Sequence, residues 1–298
     1  MMQYYIDQGS STIKVYSFDG TILKLVEEHS IYLKNGFSKE KGITEDNLEL
    51  LYGYYAQITK KYHFNFESTY IFATGIFREI PAEQKFMLVK EFNKKFDLYF
   101  NVISHGIENY YIGKAMESDY NGKKVMVINM GGKTTELVTF ENNKITQRHN
   151  LKVGVADLLN KFPNSNDKYS TARIEDMVDF VKERIKNEKF DTDYDCAIFT
   201  GGELRFEKLT KYELEDNDLF FDNIHDKKVS FENFVKGNEK IFYQMTLDEL
   251  YALMPQNPKW MDGARAGAVL PQAIFEKAKI KTIIPSDMNL INGVIKDI

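Results

Sequence analysis

The stretch VMVINMGGKTTEL, Val125–Leu137, decides the fold of this protein. Its opening Val-Met-Val-Ile is an apolar run that predicts a buried strand. The Gly-Gly-Lys-Thr that follows is typical of a turn, after which apolar sequence resumes. Because glycines carry no side chain, successive backbone N–H groups in such a turn can point at one anion, and neighbouring hydroxyls add donors. The stretch therefore predicts a strand, a phosphate-binding turn and a second strand.

The same order of elements opens the chain. The segments MQYYID and TIKVYSF predict two strands around Gly9, and Asp19-Gly20 before TILKLVEEHSIYL is a strong hairpin signal. Downstream, KVMVINM, TELVTF and KITQRHNL repeat this strand, glycine turn, strand, turn, strand order, with Asn142-Asn143 at the second turn. The sequence therefore predicts one structural unit used twice.

Strands and helices alternate between and after these repeats. Leu48, Leu51, Tyr55 and Ile58 are spaced for one helix face, and PAEQKFMLVKEFNKKF also predicts a helix. STYIFAT, YFNVIS, CAIFT and KTIIPS predict strands. Further helices are expected in HGIENYYIGKAM, from Val153, over STARIEDMVDFVKERIKNEKF and from Ser230, and the acidic YELEDNDLFFD is expected to be a solvated loop. This alternation predicts an α/β protein.

Length and composition indicate two folded domains. The 298 residues, 43% of them hydrophobic, suit two domains of about 150 residues each. The polar segment SDYNGKK predicts an inter-domain joint. We therefore expect a first domain over residues 1–119 and a second over 120–298, with the last helix packing back on the first.

Charge and hydropathy exclude several classes of partner. A net charge of −5 offers no general basic field, so nucleic acid is not expected as a partner. No apolar run approaches the ~20 residues of a membrane span, and the N-terminus lacks the features of a signal peptide. Cys196 is alone and suits a reducing compartment. We expect a cytoplasmic protein with no membrane partner. Whether it forms a homodimer is left open by the sequence.

Seven segments, in order, resemble the exopolyphosphatase and guanosine pentaphosphate phosphohydrolase (Ppx/GppA) family of the actin, sugar kinase and heat-shock chaperone superfamily. They are IDQGSSTIKVYSF, FATGIFREI, ISHGIENYYIGKAM, INMGGKTTEL, LKVGVADL, FTGGELRFEKL and ARAGAVLPQAIF. The resemblance implies two ribonuclease-H-like domains with the actin-like ATPase fold, each a mixed five-stranded sheet flanked by helices. It also implies an active-site cleft between them, across which the two glycine turns would face each other.

The chain departs from the family pattern at residues of the motifs that are expected to carry the chemistry. Asn129 replaces the aspartate of the second glycine motif, Lys133 replaces its third glycine, and Ser11 replaces the asparagine of the opening motif. Ile107 replaces the first of two paired glutamates, and NLINGV stands where the family usually has Gly-Leu-Arg-Glu-Gly. The resemblance therefore implies a retained scaffold with an altered site.

The candidate site residues fall into three groups. The predicted phosphate-binding residues are Gly9, Ser10, Ser11, Arg78, Gly131, Gly132, Lys133, Thr134, Gly201 and Gly202. By resemblance, Glu108 matches the family's general base, Glu136 holds a water or orients the loop, and Arg78 binds phosphate. Asp7 and Asn129 would approach a divalent ion, Mg²⁺, whose site is weakened by the loss of one carboxylate. The alternatives are ordinary hairpin turns, a helix-dipole carboxylate at Glu108, a solvent-facing Lys133 and a surface ion pair at Arg78.

Two functions follow from these residues. The first is a phosphoanhydride hydrolase that removes the terminal phosphate from short polyphosphate or guanosine pentaphosphate, by Mg²⁺-assisted in-line attack of water. Longer family members carry extra helical domains, so short chains or single nucleotides are the expected polyanionic substrates here. The second is a weakly active or inactive nucleotide- or phosphate-binding protein, favoured by Asn129. A sugar-kinase-like phosphotransferase is a third hypothesis, for which no acceptor-activating carboxylate stands out.

Overall fold

The computed structural model describes residues 2–222 and 224–298. Their contacts divide the chain into two compact units. The first comprises the chain up to Tyr111 together with Leu290–Ile298, and the second comprises Ile112–Asn289. The predicted domain boundary between residues 119 and 120 stays a prediction. Among the described residues, no helix combines the length and apolar composition that a membrane crossing requires.

The first unit is built on a mixed sheet of five described strands. They are β1 (Gln3–Gln8), β2 (Thr12–Phe18), β3 (Leu23–Ser30), β4 (Thr69–Ala73) and β5 (Phe100–Val102). Their order is β3-β2-β1-β4-β5, with β1, β2 and β3 antiparallel and β1, β4 and β5 parallel. The Asp19 carboxylate accepts the N–H groups of Thr21 and Ile22, which fixes the predicted turn between β2 and β3.

Helices cover both faces of this sheet because side chains alternate along each strand. One face, carrying Ile6, packs against α1 (Glu45–Tyr62) and α2 (Ala82–Phe96). Tyr5, on the opposite face, packs with α10 (Leu290–Asp297). The first unit thus has helices on either side of a central sheet, as α/β patterning requires.

The second unit is built on a mixed sheet of seven described strands. They are β6 (Val125–Met130), β7 (Thr135–Glu141), β8 (Lys144–Leu151), β9 (Cys196–Thr200), β10 (Glu215–Asp216), β11 (Lys227–Ser230) and β12 (Thr282–Ser286). Their order is β10-β11-β12-β9-β6-β7-β8, with β6, β9 and β12 parallel and the other pairs antiparallel.

The helices of the second unit pack mainly on one face of its sheet. They are α4 (Val155–Lys161), α5 (Ile174–Arg184), α6 (Glu203–Thr210), α7 (Phe231–Glu239), α8 (Leu247–Ala252) and α9 (Ala264–Ala278). Ile128 and Phe199 of the sheet pack with this layer, whereas Val127 and Ile198 pack on the opposite face with Tyr120. The division between the units falls within α3 (His105–Ala115).

The predicted repeat is present as matched local geometry in the two units. Strands β3-β2-β1-β4 correspond to β8-β7-β6-β9 in order and direction. The Gly9 N–H donates to the Thr12 carbonyl at 2.9 Å, and the Gly131 N–H donates to the Thr134 carbonyl at 2.8 Å. Each repeat also carries a bulge between its second and third strands. The α/β fold class with two mixed sheets is confirmed.

Three details differ from the sequence-based prediction. The second sheet has seven strands among the described residues rather than five, because β10 and β11 extend it. β10 lies in the acidic stretch predicted as a loop, where Lys227 and Lys228 neutralise the acidic strand across the pair. Helix α5 is shorter at both ends than STARIEDMVDFVKERIKNEKF, and at its C-terminal end Lys277 of α9 binds the carbonyls that follow it. Tertiary contacts therefore override the local pattern.

Candidate functional site

The glycine turn of the first unit is held by its second residue. The Ser10 side chain is buried, and its hydroxyl accepts the Ile76 N–H at 2.9 Å. A Cβ on Gly75 would lie 2.1 Å from that hydroxyl oxygen, and Gly75 has φ +64°, so only glycine suits this position. The Ser10 hydroxyl is thus engaged in fixing the turn. Its predicted role in phosphate binding stays a prediction, as does that of Gly9 and Ser11.

Asp7 lies at the end of β1, opposite Lys14 of β2. The pKa of the Asp7 carboxyl is raised to about 6, chiefly by burial. The Lys14 ammonium opposes this rise, and the Glu108 carboxylate adds to it. Sequence reasoning missed Lys14. The repeat could have revealed it, because Lys14 faces Asp7 as Glu136 faces Asn129 in the second unit.

Glu108, the candidate base, forms a short ion pair with Arg78. It lies in the first turn of α3, where a carboxylate is favoured by the helix dipole, and it is 8% exposed. Arg78 Nη1 donates to Glu108 Oε2 at 2.5 Å. Burial lowers the pKa of the adjacent His105, and the Arg78 charge lowers it further. Arg78 therefore orients the candidate base, which is a use of this arginine that the sequence did not reveal.

The glycine turn of the second unit presents backbone donors. Gly131 and Gly132 direct their carbonyls to the N–H groups of Val155 and Ala156, at 3.2 and 2.9 Å. Within the part of the chain that the structure describes, the N–H groups of Gly132 and Lys133 donate to no protein acceptor. Such a pair of neighbouring amides is suited to bind one anion.

Asn129 lies beside two other predicted site residues of the second unit. Its amide Nδ2 donates to Glu136 Oε2 at 3.5 Å, the long limit for such a bond. A Cβ on Gly201 would lie 3.7 Å from Asn129 Oδ1. Glu136 is 2% exposed, whereas the Lys133 side chain is exposed. Asn129, Glu136 and the Gly201 turn thus form one cluster at the end of β6.

The turn at Gly201 and Gly202 lies between β9 and α6. Both glycines have positive φ, 120° and 122°, which side-chain-bearing residues rarely adopt. The Gly202 N–H donates to the Ser286 carbonyl at 3.3 Å, and the Arg205 N–H donates to Asp287 Oδ1 at 2.9 Å. The turn stands at the carboxyl end of a parallel strand, where open α/β sheets bind ligands.

Each unit offers oxygen donors of the kind that a hard divalent cation prefers. Asp7 is a carboxylate of the first unit. In the second unit, the Asn129 side chain lies beside the Glu136 carboxylate, with Nδ2 3.5 Å from Oε2. Among the described residues, neither unit by itself gathers three acidic, histidine or cysteine ligand atoms. A carboxylate and an amide oxygen fit Mg²⁺, which keeps several waters and relies on substrate phosphates rather than on a closed protein cage.

The sequence and the fold of this chain both resemble those of one family of known proteins. Residues 20–298 match the model of the Ppx/GppA phosphatase family. A Ppx/GppA family member from Aquifex aeolicus has the same fold at 18% identity and a TM-score of 0.70, covering 100% of this chain and 97% of its own. An exopolyphosphatase from Cytophaga hutchinsonii has a TM-score of 0.75 at 15% identity, covering 99% and 96%. No curated protein gives a significant match.

Proposed function

Since the chain belongs to the Ppx/GppA phosphatase family, we propose that it hydrolyses the terminal phosphoanhydride bond of short polyphosphate or of a guanosine pentaphosphate-like nucleotide. Water attacks the terminal phosphorus, the bond to the bridging oxygen breaks, and inorganic phosphate leaves. The bridging oxygen stays with the shortened chain. The products are one phosphate and a polyanion shorter by one unit.

The observation that carries this proposal is the matched pair of glycine turns. Each is closed by the same hydrogen bond, from Gly9 to Thr12 and from Gly131 to Thr134. In each turn the amides that follow the first glycine donate to no acceptor within the described residues. Two anion-binding turns suit a substrate with several phosphates.

Glu108 is the proposed base. In this role its carboxylate takes a proton from the attacking water, and Arg78 holds the carboxylate in one orientation. A positioned base of this kind contributes about 10²–10⁴-fold to the rate. Lys133, exposed on the second turn, adds a fixed positive charge for the phosphate oxygens. Glu136 orients Asn129 through the hydrogen bond between them.

We propose Mg²⁺ as the cofactor, with Asp7 as the candidate ligand in the first unit and Asn129 as the candidate ligand in the second. A bound Mg²⁺ supplies positive charge for the oxygens that gain negative charge in the transition state. Asn129 contributes a neutral oxygen, so the affinity for the ion should be lower than with two or more carboxylates.

One observation favours the alternative of a weakly active binding protein. The Asn129 amide donates to Glu136 Oε2 at 3.5 Å, and thereby engages a carboxylate that would otherwise be available to the metal. Such a protein would bind the same polyanions through the same turns without turning them over.

The test is phosphate release from tripolyphosphate, guanosine pentaphosphate and nucleoside triphosphates, over a titration of Mg²⁺. Binding of each compound is measured in parallel by calorimetry. Release that depends on Mg²⁺ supports the hydrolase. Binding without release under every condition favours the binding protein. The absence of both binding and release would exclude both functions.

A further inference from the structure

The second glycine turn is attached to the beginning of α4 by two hydrogen bonds. Val155 and Ala156, the first residues of α4, donate their N–H groups to the carbonyls of Gly131 and Gly132. Helix amides at these positions have no partner within their own helix. The first turn of α4 therefore satisfies its free donors with the carbonyls of the turn.

These bonds set the direction of the turn's own amides. The carbonyl of one residue and the N–H of the next lie in one plane and point in opposite directions in a trans peptide. Because the Gly131 and Gly132 carbonyls point at α4, the N–H groups of Gly132 and Lys133 point away from it. The contact thus leaves two neighbouring donors directed to the same side.

Gly154 makes this contact possible. A Cβ there would lie 2.4 Å from the Lys133 nitrogen, 2.5 Å from the Gly132 carbonyl carbon and 2.6 Å from the Gly131 oxygen. All three atoms belong to the backbone, so the clash cannot be relieved by a change of side-chain rotamer. Gly154 has φ −146°, an extended conformation open to any residue, and the requirement is therefore for space alone.

The segment before α4 is itself fixed. The Thr135 hydroxyl, on buried β7, donates to the Val153 carbonyl at 2.8 Å. The Gly154 N–H donates to Asp157 Oδ2 at 3.0 Å, which caps the helix. Gly154 is thus held against the turn from both sides.

We propose that Gly154 and the first turn of α4 position the phosphate-binding amides of Gly132 and Lys133. Gly154 and Val155 are positioning residues, since neither reaches the ligand. This inference rests on the proposed function, because it takes the ligand of the turn to be phosphate.

Two variants test the contact in different ways. Gly154→Ala introduces the clash, and Val155→Pro removes one N–H donor. Proline is well tolerated at the first position of a helix, and the extended Gly154 suits the residue before it, so Val155→Pro should fold even if Gly154→Ala does not. Gly53→Ala is the matched control, since a Cβ at Gly53 in α1 meets nothing within 4 Å.

The readouts are the affinity for inorganic pyrophosphate by calorimetry and, without ligand, amide hydrogen exchange at Ala156, whose N–H is hydrogen-bonded to the Gly132 carbonyl. We expect Gly154→Ala to lower the affinity ~10-fold or more, as for loss of a hydrogen bond to a charged group, and Val155→Pro to lower it several-fold. Gly53→Ala should bind as the wild type does. Exchange at the Ala156 amide should rise in both test variants.

Each outcome decides the inference. Wild-type affinity and exchange in folded Gly154→Ala and Val155→Pro would overturn it and leave the proposed function standing. If the wild type binds no phosphate compound, the proposed function fails, and the inference that rests on it fails too. Denaturant unfolding without ligand separates a general loss of stability from the loss of affinity.

Discussion

Asn129 is the residue at which this chain departs most consequentially from its family. In the proposed metal site it would offer a neutral amide oxygen where the family pattern has a carboxylate, and its amide nitrogen points to Glu136 at 3.5 Å. An aspartate could make no such donation, and two carboxylates at this distance would repel each other unless a cation lay between them. On the proposed function, the identity of residue 129 would therefore set how strongly the second unit attracts a metal ion.

Asn129→Asp should raise the affinity for Mg²⁺, by about tenfold if the added carboxylate becomes a ligand. Calorimetric titration with Mg²⁺ alone measures this without reference to activity, and phosphate release should rise with it. Asn142→Asp is the control, because it adds the same charge at the opposite end of β7. An unchanged Mg²⁺ affinity in Asn129→Asp would remove residue 129 from the metal site.

Glu207 is a buried carboxyl whose burial predicts a pH-dependent stability. It is 0% exposed, and neither of its oxygens has a hydrogen-bond partner within the described residues. Burial raises its pKa well above the usual value, and the charges of Glu203 and Asp287 raise it further. The folded protein thus keeps a proton here that the unfolded chain releases at about pH 4.3, the ordinary glutamate pKa.

The sign of the effect follows from proton linkage. Because the folded state binds the extra proton, the stability that Glu207 contributes is complete below its unfolded pKa and is lost as pH rises through the higher folded pKa. Glu207→Gln, a neutral mimic of the protonated form, should make the melting temperature less dependent on pH and higher than that of the wild type at alkaline pH. Exposed Glu213→Gln should leave the profile unchanged. Parallel profiles for wild type and Glu207→Gln would show that Glu207 is ionised in the folded protein.

At the level of residues, the sequence identified positions better than roles. The turn at Gly131 and Gly132 was predicted from glycines and hydroxyl residues between two apolar strands, and its binding of phosphate stays a prediction. Lys14 was missed because a lysine in a strand usually faces solvent. The Ser10 hydroxyl accepts the Ile76 N–H, a contact between residues far apart in sequence that no local pattern indicates.

At the level of elements, periodicity predicted the helices and strands wherever local sequence and packing agree. Helix α1 begins after Thr44, whose hydroxyl accepts the Asn47 N–H as expected for a cap. Helix α5 ends at Arg184, before the predicted end, because Lys277 binds the Ile185 carbonyl. The acidic segment forms β10 because lysines of β11 neutralise it. In both places the lysine comes from another element of the fold.

Helix α10 depends on one close approach within the first unit. A Cβ on Gly293 would lie 1.8 Å from the Tyr111 carbonyl oxygen, while Leu290, Ile291 and Val294 pack with Tyr5 on the sheet. Gly293→Ala should therefore displace the helix and lower the free energy of unfolding by about 1–3 kcal/mol, the usual cost of overpacking.

Urea unfolding measures this change, with Gly53→Ala as the control. In an open helical position the same substitution should be neutral or stabilising by up to about 1 kcal/mol. Equal stability of Gly293→Ala and the wild type would mean that α10 packs less closely than described.

At the level of the whole molecule, the repeat made the fold predictable. The order of strands and turns occurs twice in the sequence, and the two units carry the same turn geometry. The approach of Gly154 to the second turn was not predictable in this way, since it joins segments that only the folded chain brings together. Sequence thus predicted the architecture and the two glycine turns, and the structure added how the second turn is held. Anion binding by the turns stays a prediction.

The central claim is hydrolysis of a terminal phosphoanhydride bond with Glu108 as the base. The most direct test is single-turnover phosphate release from tripolyphosphate and guanosine pentaphosphate by the wild type and Glu108→Gln, with exposed Glu83→Gln as the control. We predict Mg²⁺-dependent release by the wild type and Glu83→Gln, and a rate lower by ~10²-fold or more in Glu108→Gln with substrate binding retained. Equal rates in wild type and Glu108→Gln, or no release by the wild type at any Mg²⁺ concentration, would contradict it.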